Sequence, residues 1–166
     1  VALLARKTKR PVKITFTREE DMSSSTLRHA YRMRHRTGVR KDGTILADEV
    51  TLYADTGAYI NLGPAQLLKA AAHCCGPFQV PNLKVDGYLV FTNTLNGSAM
   101  RGMGVPQSCF AWESHLDLIA ERLGIHPLEL RRKNMFGTKG TLPNGQVVDA
   151  APARETLERA VALLQS

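Results

Sequence analysis

The sequence predicts an α+β fold, in which an antiparallel sheet packs helices against one of its faces. Residues 29–39 and 44–53 alternate apolar and polar side chains, and the Asp42-Gly43 pair between them is typical of a tight hairpin turn. Residues 107–123 carry apolar side chains at helical spacing. The sequence contains no internal repeat and no linker-like stretch, which favours one domain over residues 1–166.

The elements before the hairpin are predicted to be short. Residues 1–9 favour a helix, with leucines facing inward. Residues 12–17 alternate apolar and polar side chains and predict a strand. Residues 18–22 open a helical turn or loop whose consecutive acidic side chains are expected to face solvent, and residues 23–26 form a polar linker.

The elements after the hairpin alternate between helix and strand. Residues 65–74 are rich in Ala and Leu and predict a helix, and residues 83–92 alternate as a strand does. Residues 128–134 and 153–164 predict two further helices, separated by a polar loop over residues 137–149.

The returning hairpin strand and the long helix supply the predicted core. The apolar side chains expected to face inward are Leu46, Val50, Leu52, Cys109, Trp112, Leu116, Ile119 and Leu123. Glu113 and Asp117 lie one turn apart on the same helix, where we expect them to face solvent or to pair with basic neighbours.

The chain is basic, with 22 Lys and Arg residues against 15 Asp and Glu residues. Arg32, Arg34 and Arg36 fall on one face of a predicted strand and form a positive ridge. Such a ridge is compatible with an acidic partner or a nucleic acid, and equally with a solvated sheet face. The ridge has no interleaved aromatic side chains for base stacking, so the pattern favours the solvated face over nucleic-acid binding.

The cysteines indicate a reducing environment. Cys74, Cys75 and Cys109 are an odd number, without metal-ligand spacing, and adjacent cysteines bridge only with strain. We therefore expect three reduced thiols that act as small buried apolar residues in a cytoplasmic protein. The sequence contains no apolar run long enough to span a membrane, so no membrane association is expected.

Residues 96–107 form a glycine-rich stretch that the rest of the chain is expected to support. Gly102 and Gly104 allow positive φ or close approach of a bulky ligand, and Pro106 suits the start of a helix. A helix N-terminus beside Arg101 favours an anionic ligand. The alternative is an ordinary turn that carries one surface arginine.

Residues 99–107, Ala-Met-Arg-Gly-Met-Gly-Val-Pro-Gln, resemble the A-[FM]-R-G-x-G-x-P-Q loop of the xanthine dehydrogenase/aldehyde oxidase family of molybdenum hydroxylases. Four further segments are similar to motifs of that family and occur in the same order: residues 10–13, 18–22, 76–82 and 129–134. The resemblance implies a piece of the molybdenum-cofactor-binding domain from a much longer molybdopterin-binding subunit.

The resemblance also implies roles for individual residues. Arg101 and Gly102 would contact the molybdenum–molybdopterin cofactor, with Arg101 next to the metal. Lys69 and Met103 would contact substrate, at positions where purine-oxidising relatives have an arginine and a stacking phenylalanine. These two departures make a purine doubtful and favour a smaller or carboxylated substrate.

The parent enzyme implied by the resemblance hydroxylates an N-heteroaromatic or aldehyde carbon with water. It passes the electrons through Fe–S clusters to FAD, which lie in partner domains or subunits. The pterin could carry a cytosine dinucleotide. The family's general base lies in a Gly-Glu-Pro segment that is absent from residues 1–166, so no catalytic residue is assigned here. We therefore expect the fragment alone to bind no cofactor and to be inactive.

Two other functions remain open at the level of sequence. The chain could be a catalytically empty scaffold that kept the family fold, or a basic nucleic-acid-binding domain. Flanking sequence without the family's cofactor and base segments would favour the scaffold, and strong salt-sensitive binding would favour the nucleic-acid interpretation.

Overall fold

The computed structural model describes residues 1–165, so Ser166, which the predicted domain includes, lies outside the described residues. Six helices are present within this range: α1 (Ala2–Thr8), α2 (Arg18–Ser24), α3 (Gly63–Ala72), α4 (Val105–Leu123), α5 (Pro127–Asn134) and α6 (Ala151–Gln165). The same range contains seven strands: β1 (Leu27–Arg28), β2 (Tyr31–Val39), β3 (Ile45–Gly57), β4 (Asn82–Phe91), β5 (Gly97–Ser98), β6 (Lys139–Thr141) and β7 (Val147–Asp149). The predicted combination of sheet and helices is confirmed, as several small sheets with helices.

The largest sheet has the strand order β2-β3-β4. The predicted antiparallel hairpin of β2 and β3 is confirmed, and Gly43 has the positive φ of 85° that its turn requires. The expectation of a wholly antiparallel sheet is wrong, because β4 pairs with β3 in parallel. Parallel neighbours need a crossover connection, and α3 lies in the connection between these two strands.

The core lies between this sheet and the helices α3 and α4. Val50 and Leu52 of β3 and Trp112 and Leu116 of α4 are fully buried, as predicted. Leu46 was expected beside them but is 37% exposed, because it is the extra residue of a β-bulge: Val39 pairs with Ile45, whereas Gly38 pairs with Ala47.

The buried side of α4 also differs from the prediction at its first turn. Ser108 and Ala120 line up with Trp112 and Leu116 at intervals of one turn, and all four are buried. Cys109 projects from the neighbouring side and is exposed.

All three cysteines are free thiols, and Cys74 and Cys75 are buried as predicted. The adjacent thiol of Cys74, together with burial, raises the pKa of Cys75, which keeps Cys75 a protonated thiol at neutral pH.

Further segments differ from their predictions. Leu3 and Leu4 of α1, which were expected to face inward, are 80% and 56% exposed. Helix α2 extends over Ser23 and Ser24, the first half of the predicted polar linker. Residues 12–17 form no strand, and Ile14 and Phe16 are 60% and 51% exposed. Alternation alone does not make a strand without a neighbouring strand to pair with. Conversely, the predicted loop over residues 137–149 contains the antiparallel pair β6–β7.

The positive ridge of Arg32, Arg34 and Arg36 lies on the exposed side of β2. Arg36 pairs with Glu49 across the strands at 3.5 Å. No helix within residues 1–165 has both the length and the apolar character needed to cross a bilayer.

A buried polar cluster joins the hairpin to α4. Asp48 accepts hydrogen bonds from Thr37 Oγ1 at 2.8 Å and lies 2.9 Å from His35 Nδ1. His115 Nε2 lies 2.8 Å from the same Thr37 hydroxyl, whose single hydrogen goes to Asp48, so Nε2 carries a proton and donates to the hydroxyl oxygen. Burial, followed by electrostatic interaction with His35 and Arg122, lowers the pKa of His115 and outweighs the opposite effect of Asp48.

Helix α5 is tied to both the hairpin turn and α4. The buried Asn134 side chain accepts a hydrogen bond from the backbone N–H of Ile45 at 2.9 Å and donates to the carbonyl of Gly43 at 2.9 Å. Arg131 pairs with Glu113 at 2.8 Å and Asp117 at 2.7 Å, which confirms that these carboxylates pair with a basic neighbour.

A candidate cofactor-binding loop

Residues 99–104 link β5 to α4 in a compact, left-handed conformation. Gly102, Met103 and Gly104 have successive φ values of 96°, 43° and 89°. The backbone N–H of Met103 donates to the carbonyl of Met100 at 2.8 Å, and that of Val105 donates to the carbonyl of Gly102 at 3.1 Å. Glycine is the residue that adopts such φ values without strain, as the sequence predicts for Gly102 and Gly104.

The loop is anchored before and after its centre. Before it, β5 pairs in parallel with β1, with Gly97 opposite Leu27 and Ser98 opposite Arg28. After it, Gly104 lies against α3, where an added Cβ would come within 2.4 Å of the backbone oxygen of Gln66. This contact seats the loop directly on the helix that carries Lys69.

Side chains from β1 and from the first turn of α4 hold the centre of the loop. Arg28 Nη2 donates to the carbonyl of Arg101 at 3.0 Å, and Arg28 Nη1 lies 3.4 Å from Gln107 Oε1. Gln107 Nε2 donates to the carbonyl of His29 at 3.2 Å. The role of Arg28 was not predicted, because in the sequence this residue looks like one member of a basic run. Gln107 had no predicted role beyond its place in the loop motif.

The predicted site residues lie at the surface, on the loop and on the helix that it packs against. Arg101 and Gly102 are exposed, Met103 is half-buried, and Lys69 is exposed on α3. No carboxylate within residues 1–165 forms an ion pair with Arg101, and no side chain in this range caps the N-terminus of α4.

These features fit an anionic pterin cofactor. Gly102 allows the left-handed turn and the close packing on Pro106, since an added Cβ would lie 2.5 Å from Pro106 Cγ, and the turn leaves the backbone of residues 101–102 exposed. The N-terminus of the 19-residue α4, which no described side chain caps, favours negative charge. Arg101 adds a cation that no acidic side chain neutralises in the described part of the chain. The residues present therefore suit the group that the sequence resemblance implies.

An open groove of about 450 Å³ lies beside the loop, between β2 and α4. Its walls include Arg28 and Gln107 together with the apolar Met33 and the 76% exposed Phe110. Burial of Tyr31, which also lines the groove, raises its pKa to about 12, so its phenol stays protonated.

Residues 1–135 match the family described as "Molybdopterin cofactor-binding domain". The chain therefore belongs to this family, and the predicted relationship to the molybdenum hydroxylases is confirmed.

The chain is 41% identical over 160 residues to the nicotinate dehydrogenase large molybdopterin subunit of Eubacterium barkeri, covering 96% of this chain and 38% of that protein. It is 48% identical over 134 residues to a probable xanthine dehydrogenase subunit of Bacillus subtilis, covering 81% of this chain and 18% of that protein. Its fold matches the aldehyde oxidoreductase of Desulfovibrio gigas with a TM-score of 0.86 at 34% identity, covering 99% of this chain and 18% of that one. The chain thus spans well under half the length of each of these relatives.

Proposed function

We propose that this chain is the part of a molybdenum hydroxylase that presents the loop of residues 99–104 to a molybdenum–molybdopterin cofactor. The observation that carries the proposal is an exposed left-handed Gly102 beside Arg101, at the start of α4. Among the described residues, no carboxylate pairs with Arg101 and no side chain caps this helix start. The pterin could be the cytosine dinucleotide form.

When bound, the cofactor supplies the hydroxylation and electron-transfer chemistry, with the electrons passing to Fe–S and FAD partners. This chain contributes binding and orientation. Arg101 would hold the cofactor through its positive charge, and the exposed backbone of Gly102 would contact it. The general base lies elsewhere in the subunit, so residues 1–166 alone neither retain the cofactor nor turn over substrate. The three free thiols support a cytoplasmic location.

The proposed substrate is a carboxylated N-heterocycle, and an aldehyde is the second candidate. Lys69 provides an exposed cation on the helix against which Gly104 packs, and it suits a substrate carboxylate. Met103 offers a thioether for contact with an aromatic ring, an interaction worth about 0.3–1.5 kcal/mol. The 41% identity to a nicotinate dehydrogenase subunit supports the same choice.

The test uses the full-length subunit, purified with its redox partners. We expect about one molybdenum per subunit by metal analysis, and turnover of nicotinate in preference to hypoxanthine or benzaldehyde. Lys69→Ala should raise the KM for nicotinate about tenfold or more, since a hydrogen bond between charged groups contributes about 1.5–3 kcal/mol. The KM for benzaldehyde, which has no carboxylate, should stay unchanged.

Lys41→Ala is the matched control, because Lys41 is an exposed lysine in the hairpin turn. Full-length protein without molybdenum or hydroxylase activity would contradict the proposed function. Activity with a KM for nicotinate that Lys69→Ala leaves unchanged would contradict the substrate assignment alone.

A further inference from the structure

The side chain of Arg28 contacts the middle of the candidate loop, although Arg28 lies 73 positions before Arg101 in the chain. We propose that Arg28 is the positioning residue that sets the orientation of the Arg101–Gly102 peptide. Its effect on turnover rests on the proposed function, whereas its effect on the loop does not.

The peptide geometry links the Arg28 contact to the ligand side of the loop. A trans peptide is planar, with its C=O and N–H pointing in opposite directions, and no cis peptide occurs within residues 1–165. Arg28 Nη2 holds the carbonyl of Arg101 at 3.0 Å. The N–H of Gly102 therefore points away from Arg28, and no described residue accepts a hydrogen bond from it. A donor fixed in this way is ready to bind an acceptor on the ligand.

A guanidinium suits this position because two acceptors must be reached at once. One Nη atom donates to the carbonyl of Arg101, and the other donates to Gln107 Oε1. Gln107 then donates to the carbonyl of His29, the residue next to Arg28. These hydrogen bonds form a closed cycle. A lysine cannot reproduce the cycle, because its single ammonium lacks the planar fork that reaches both acceptors.

The backbone next to these contacts is held by strand pairing and packing. The backbone of Arg28 lies opposite Ser98 in the parallel pair β1–β5, immediately before the loop. The ring of the buried His29 fills the space above Gly97, where an added Cβ would lie within 2.7 Å of it. The second anchor of the loop is the packing of Gly104 against α3, which lies beyond the loop centre. Arg28 is therefore the side chain positioned to control the peptide between the β1–β5 pair and Gly104.

Hydrogen–deuterium exchange of the full-length protein tests the proposal without any need for activity. Arg28→Ala and Arg28→Lys should both accelerate amide exchange in peptides that cover residues 99–104, by about tenfold or more, while exchange in β3 stays unchanged. The lysine variant keeps the charge and the aliphatic stem of the side chain, so it is less prone to misfold than the alanine variant. Arg32→Ala is the control, since Arg32 is exposed on β2 and forms no side-chain hydrogen bond or ion pair with any described residue of the loop.

The kinetic measurement uses the same variants in the loaded enzyme. Misplaced binding groups lower the rate of the chemical step, so Arg28→Ala and Arg28→Lys should reduce kcat about 10- to 100-fold with little change in KM. A loss of stability alone would lower the amount of active enzyme in both variants without accelerating exchange in the loop selectively.

Unchanged exchange over residues 99–104 in Arg28→Ala would overturn the proposal. If the wild-type protein shows no hydroxylase activity, the proposed function fails, and the exchange result still decides the role of Arg28.

Discussion

Replacing Gly104 with alanine tests whether the loop is seated on α3 as described. Gly104 has φ of 89°, which costs a residue with a Cβ about 1–2 kcal/mol. The new Cβ would also lie 2.4 Å from the backbone oxygen of Gln66, so loop and helix must separate by about 1 Å to reach ordinary contact. Overpacking of this kind costs about 1–3 kcal/mol. Gly104→Ala should therefore lower the free energy of unfolding by about 2–5 kcal/mol.

Gly145→Ala separates the two contributions. Gly145 has nearly the same φ of 84°, but a Cβ there meets no atom within 4 Å. Gly145→Ala should therefore lower the free energy of unfolding only by the cost of the positive φ, about 1–2 kcal/mol. Urea unfolding of the chain, followed by circular dichroism, gives both values from the shift in midpoint at constant m. Equal losses in the two variants would show that the loop does not rest on α3, and the reasoning would be refuted.

Three further predictions concern the contacts that join the hairpin, α4 and α5. Asn134→Ala leaves buried backbone groups unpaired and should lower the free energy of unfolding in urea by about 2–4 kcal/mol. The control Asn144→Ala, in an exposed turn, should lower it by less than about 1 kcal/mol. Equal losses would contradict the bridging role of Asn134. Arg131 is only 16% exposed, and Arg131→Ala should lower the free energy of unfolding by about 1–2 kcal/mol. Arg159 is 80% exposed, and Arg159→Ala should lower it by less than about 0.5 kcal/mol. The reverse order would contradict the role given to the Arg131 ion pairs. Because the pKa of His115 is lowered on folding, the unfolded chain binds more protons as pH falls below about 6.5, so stability is lost there. His115→Gln should show a smaller loss between pH 7 and pH 5, and an unchanged loss would remove His115 as its source.

The hairpin could be predicted because its determinants are local. The Asp42-Gly43 turn and the alternation on both sides of it specify antiparallel pairing within a few residues. The parallel pairing of β4 could not be predicted in the same way, because it depends on how the chain crosses through α3. The bulge at Leu46 likewise depends on register, and alternation does not reveal an extra residue in one strand.

The candidate site was predictable in its centre and not in its support. Glycine spacing and the family motif pointed to residues 99–104, and positive φ at Gly102 and Gly104 agrees with that interpretation. Arg28 could not be recognised, because its contact with the carbonyl of Arg101 joins segments far apart in sequence. The segment over residues 12–17 shows the opposite failure, in which a strand-like pattern had no partner strand.

An experimental structure of the full-length subunit, purified with molybdenum, tests the central claim most directly. We predict that the cofactor touches Arg101 and Gly102, with Lys69 and Met103 facing the substrate side of the metal. A structure with molybdenum bound elsewhere, and with Arg101 directed into bulk solvent, would contradict the account.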